Sequence, residues 1–76
     1  MLSLRREFDD KLGGWTVHVQ HDAFGGFGGS RLPEKQANAI LAFVRDADYA
    51  RFGEWDEDSW NQLPRDAGRA AFRRLV

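Results

Sequence analysis

The stretch from His21 to Lys35, HDAFGGFGGSRLPEK, holds four of the chain's eight glycines at positions 25–29, wrapped around Phe27 and followed by Ser30 and Arg31. A glycine-rich turn leading into a helix is where backbone N–H groups cradle phosphate, provided that a cation follows at fixed spacing. GGFGGSR has Ser30 and Arg31 after the last glycine but not the GxxxxGK[ST] arrangement, and no second acidic group is placed to hold a metal-bound phosphate. No nucleotide site is expected, and no cofactor. The glycines are expected to turn the chain sharply from sheet to helix, with a short irregular strand over residues 23–28. Phe24 and Phe27 then either anchor the core or stand out as an aromatic arm for a partner.

The run HVQHD offers His18, His21 and Asp22 as metal ligands or as an acid–base pair. On a strand, residues three apart point to opposite faces, so the two imidazoles do not converge unless the strand ends between them. The chain has two histidines and no cysteine, too few donors for a tetrahedral zinc site. Ser3, Ser30 and Ser59 lack a nucleophile-elbow context, and the acidic groups Asp9-Asp10 and Asp56-Glu57-Asp58 stand where turns and helix entries use carboxylates. No catalytic or metal-ligating set is expected.

Charge is segregated along the chain. Residues 46–58 carry Asp46, Asp48, Glu54, Asp56, Glu57 and Asp58 against Arg51 alone, interleaved with Tyr49, Phe52 and Trp55. Residues 65–76 carry Arg65, Arg69, Arg73 and Arg74 against Asp66. Arg65, Arg69 and Arg73 recur every fourth residue, which makes one stripe on a helix. Helix dipoles favour acids at a helix start and arginines at its end, so part of this pattern is local. Taken as a surface, it is an acidic-aromatic face beside an arginine edge. Three tryptophans, six phenylalanines and one tyrosine are also more large aromatics than 76 residues readily bury. Trp55, between Glu54 and Asp56, is the first expected to be exposed, and Phe24 or Phe27 the next.

These residues must be positioned by a small α+β fold. LSLRREF alternates Leu2, Leu4 and Phe8 with Ser3, Arg5 and Glu7, a period of two that Arg6 interrupts on the apolar side. WTVHVQ alternates Trp15, Val17 and Val19 with Thr16, His18 and Gln20, and DDKLGG between the two runs supplies turn chemistry. An antiparallel hairpin is expected, three-stranded if residues 23–28 join it. Pro33 opens a helix in which Ala37, Ile40, Leu41, Val44 and Ala47 recur on one face, with Phe43 beside them. That helix is expected to end near Tyr49 or Ala50, with Gly53 as its stop. Asp56 is expected to cap a short helical turn carrying Trp60 and Leu63 inward. Pro64 is expected to close it and open a last helix with Gly68, Ala71, Phe72 and Leu75 on one side and close packing at Gly68. The two or three helices cover one face of the sheet.

Seventy-six residues make one domain, 1–76, with little room for a deep pocket. The formal net charge of −1 and the absence of cysteine favour neither a polyanion partner nor a disulfide-stapled fold, and no apolar run reaches the length of a membrane span. A cytoplasmic protein with no membrane partner is expected. The expected function is a non-enzymatic interaction module, a small inhibitor or adaptor of the phage or mobile-element type, anti-CRISPR-like, docking on a protein or ribonucleoprotein, with a homodimer open. Its partner-binding residues are expected among Phe24, Phe27, Trp55, Asp56, Glu57, Asp58, Arg65, Arg69 and Arg73. The alternative is nucleic-acid binding through the stripe Arg65, Arg69 and Arg73.

Overall fold

Residues 1–75 are described by the computed structural model, with side chains described through Phe72. Three strands, β1 (Leu2–Asp9), β2 (Gly14–His21) and β3 (Gly25–Leu32), precede two helices, α1 (Glu34–Arg51) and α2 (Glu57–Leu75). The strands form one antiparallel sheet in the order β1-β2-β3. β2 is central because it carries the chain's strongest alternation, and its Val17, Val19 and His21 are buried on the helix side. The turn into β2 is built as its composition requires. The Asp9 carboxylate accepts the N–H groups of Lys11 and Leu12 at 2.9 and 3.2 Å, and Gly13 takes φ +70°.

Arg6, which breaks the apolar parity of β1, lies at the sheet margin. Its guanidinium sits 4.6 Å from the centre of the Trp15 ring and donates to Asn38 and Glu34 of α1, so one side chain ties β1, β2 and α1 together. The charge thus stays at the surface, with its guanidinium over an aromatic face.

The glycine-rich stretch is a strand of eight residues, longer and later than the expected 23–28, and not a loop. Its glycines serve close approach: a Cβ on Gly26 or Gly28 would overlap the carbonyl oxygen of Val19 or Val17 on β2. Only Gly25, at the turn from β2, takes a positive φ among them, at +83°. The register shifts between Trp15 and Val17, which face Leu32 and Gly29, so one extra residue is accommodated in β3, and Arg31 there takes φ +57°. That bulge redirects the chain into α1.

Pro33 stands at the N-cap of α1, one place before the expected position, and its carbonyl accepts the Ala37 N–H at 3.0 Å. Ala37, Ala39, Ile40 and Val44 are buried, with Leu41, Phe43 and Ala47 half-buried beside them. α2 differs from expectation in its continuity. Pro64 lies inside a single helix and withdraws one N–H from the ladder. The helix persists because Trp60, Leu63, Ala67 and Ala71 form one buried stripe that runs past the proline on both sides. Two further expectations for α2 fail. Phe72 is exposed on its outer side, and a Cβ on Gly68 would meet nothing within 4 Å, so no close helix packing depends on that glycine. The expected inward placement of Leu75 lies outside the described side chains.

Trp60 is the hub of the core. Its ring meets His21, Phe24, Phe27 and Trp55 at centroid distances of 5.2, 6.1, 6.0 and 5.4 Å. Five rings from β2, the β2–β3 turn, β3, the α1–α2 connection and α2 therefore pack together, two of the Trp60 contacts in the edge-to-face geometry that aromatic pairs prefer.

Candidate interaction surface

The connection from α1 to α2 and the first turn of α2 hold Trp55, Asp56, Glu57 and Asp58 of the expected partner-binding residues, while Phe24 and Phe27 lie at the β2–β3 turn and on β3, and Arg65 and Arg69 further along α2. Phe24 and Phe27 are half-buried against Trp60 and His21 and do not form an exposed arm. Trp55, first in the expected order of exposure, is half-buried as well. Its ring meets Trp60 edge-on, its Nε1–H donates to the Asp48 carboxylate at 2.8 Å, and the Arg51 guanidinium covers its outer face at 4.5 Å. Acidic neighbours in sequence made Trp55 look solvent-facing, whereas an acceptor seven residues back satisfies its N–H and lets the ring turn inward.

Asp56 and Ser59 form a reciprocal cap on α2. The Asp56 carboxylate accepts the Ser59 N–H at 2.7 Å, and the Ser59 hydroxyl accepts the Asp56 N–H at 3.2 Å. The hydrogen bond from the Ser59 backbone, then that with its side chain, and the charge of Arg51 hold the Asp56 carboxyl below its ordinary value. Asp56 is therefore occupied in starting α2. Glu57 and Asp58 are exposed in the first turn of α2, and Arg65 and Arg69 are exposed further along it. The Arg73 side chain lies outside the described residues.

The most exposed aromatic groups among the described residues are Tyr49 and Phe52, 81% and 90% exposed, at the end of α1. Both lie within the acidic-aromatic segment 46–58, where nothing in the sequence sets them apart from Trp55. α1 ends in a Schellman motif: the Phe52 N–H donates to the Tyr49 carbonyl and the Gly53 N–H to the Asp48 carbonyl, both at 3.1 Å. In that motif the residue in the left-handed region is ordinarily glycine, yet here Phe52 takes φ +56° and Gly53, the next residue, +76°. The cap lifts the Phe52 ring into solvent. Beside it, a depression of about 460 Å³ between β1 and the last turns of α1 is lined in part by Leu2, Leu4, His21, Asp48, Tyr49 and Gly53. A second hollow, of about 370 Å³, is lined by Asp48, Tyr49, Phe52 and Gly53.

His18 and His21 lie on opposite faces. His18 Nε2 is 3.1 Å from a Glu7 carboxylate oxygen on the open side of the sheet, while buried His21 accepts the Ala23 N–H on Nδ1 at 3.0 Å. No three His, Asp or Glu side chains converge to hold a metal among the described residues, and none of the described helices is long and apolar enough to cross a membrane. No protein-family model matches the chain, and no curated protein or solved structure gives a significant match to it.

Proposed function

We propose that this α+β domain is a non-enzymatic interaction module, a small inhibitor or adaptor that docks on a protein through the end of α1. The observation that carries the reading is Phe52, 90% exposed in a left-handed conformation. An exposed phenylalanine contributes almost nothing to the core, and a left-handed backbone costs an L-residue about 1–2 kcal/mol. The cap's hydrogen bonds reward the chain reversal, but glycine would make the same bonds, so the fold does not call for the ring. An aromatic whose backbone is fixed by a helix cap, with Tyr49 beside it over two hollows, has the form of an interface anchor ringed by weaker contacts. Acids outnumber bases by five over residues 46–58, so the surface fits a partner with an apolar socket set in a basic rim.

Immobilised native chain and its Phe52→Ala variant, used as paired baits in an extract of the source cells, test this reading. A protein or ribonucleoprotein component should be retained by the native chain alone. Titrated in purified form, it should bind the variant about thirtyfold or more weakly, as loss of an aromatic hot spot requires. Equal affinity for both chains would refute the docking site.

A second reading, nucleic-acid binding through Arg65, Arg69 and Arg73, is favoured by the exposure of the first two on one side of α2. Asp58 and Asp66 on the same helix oppose a polyanion. Titration with duplex and single-stranded DNA at physiological salt separates the readings. Submicromolar binding that disappears in the triple arginine variant would promote the second.

A further inference from the structure

The outer side of α2 carries charges that one chain leaves unused. With the buried stripe Trp60, Leu63, Ala67 and Ala71 turned inward, Asp58, Gln62, Arg65 and Arg69 all fall within about 35° of the opposite direction at 100° per residue, and all four are exposed. Among the described residues, Asp58, Arg65 and Arg69 enter no ion pair within the chain. Phe72, 64% exposed, flanks the same side.

We infer that this face is the contact between two copies of the chain, with their α2 helices antiparallel about a two-fold axis near Gln62 and Leu63. The charge arrangement selects the occupant and its direction. At 1.5 Å per residue, Asp58 lies about 7 Å before that midpoint, and Arg65 and Arg69 lie about 4 and 10 Å after it. An antiparallel copy therefore brings each Asp58 between the Arg65 and Arg69 of the other, twice over, because the axis repeats every contact. A parallel copy sets Asp58 on Asp58 and arginine on arginine, which like-charge repulsion disfavours. At the axis Gln62 meets its own copy, where each amide can both donate and accept. This face does not include Tyr49 or Phe52, so the dimer presents two docking ends, and its failure would not bear on them.

Sedimentation velocity of the purified full chain, with thermal unfolding by circular dichroism as a check on folding, tests the inference. The native chain should sediment at twice its 8.7 kDa mass at micromolar concentration. The variants Asp58→Arg and Arg65→Asp/Arg69→Asp should each dissociate, with the dimer constant weakened about tenfold or more, while remaining folded. Mixed one to one, they should recover the dimer, since every repulsion in either variant becomes an attraction in the mixed pair. A native monomer at a concentration of about 100 μM would overturn the inference. So would variants that remain dimeric, or a mixture that fails to associate.

Discussion

Replacing Phe52 by glycine separates what the residue does for the fold from what it does for a partner. A left-handed conformation costs an L-residue about 1–2 kcal/mol, while glycine gives up about 0.5–1 kcal/mol of unfolded-state entropy on ordering. With the ring 90% exposed, almost no buried apolar area is lost. The difference leaves Phe52→Gly as stable as the native chain or more stable by up to about 1.5 kcal/mol. In a domain of this size each kcal/mol raises the melting temperature by about 4–8 °C. Phe52→Ala keeps the backbone penalty and removes the same exposed ring, so it should melt close to the native chain. Thermal unfolding at pH 7, followed by far-UV circular dichroism or calorimetry, reads both. If the glycine variant melts several degrees below the native chain, the ring supports the fold and its exposure is no sign of function. The pair of results matters: stability held or raised in both variants, with binding lost in both, describes a residue kept for contact.

Trp60→Ala removes the ring on which His21, Phe24, Phe27 and Trp55 converge and should cost about 3–5 kcal/mol, enough to unfold a marginal domain; denaturant unfolding with near-UV circular dichroism checks it, and a cost under about 1 kcal/mol would mean that the aromatic cluster is not the core. Asp56→Ala should lower the melting temperature at neutral pH. Because the folded Asp56 carboxyl is held below its ordinary value, its contribution is complete above the unfolded-chain pKa of about 3.9 and is lost as pH falls through the lower folded value, so the native and variant melting curves should draw together in acid. A gap that stays constant from neutral pH down to about pH 2 would remove the charged cap from the account.

The sheet and α1 were legible because their signals are local and mutually consistent. Alternation in WTVHVQ marks β2, and Ala37, Ile40, Leu41, Val44 and Ala47 mark the inward face of α1, each agreeing with its flanking turn or cap. β3 and α2 were less legible because their deciding contacts are distant in sequence. Glycine at 25, 26, 28 and 29 argues against a strand by propensity, yet β2 passes so close that side chains at 26 and 28 would strike its carbonyls, so the partner strand selects glycine. Pro64 argues for a break, yet the burial of Trp60 and Leu63 before it and Ala67 and Ala71 after it outweighs one lost rung of hydrogen bonding.

The surface shows a sharper limit, set by a difference of one residue. Tyr49 lies nine residues after Ile40, half a turn from the buried face at 100° per residue, so its exposure follows from the helix period alone. Phe52 does not follow. Gly53 announces the end of α1 and suggests that glycine itself takes the left-handed cap position, with Phe52 still helical before it. The observed hydrogen bonds move the cap one residue earlier: Phe52 N–H reaches Tyr49 and Gly53 N–H reaches Asp48. That shift is coupled to Trp55, whose N–H engages the carboxylate of the same Asp48 and whose ring seats against Trp60. Drawing Trp55 inward and reversing the chain over residues 52 and 53 are thus parts of one arrangement. The aromatic flanked by Glu54 and Asp56 is tied down by a third acid, Asp48, seven residues back, and the aromatic beside the stop glycine is the more open of the two.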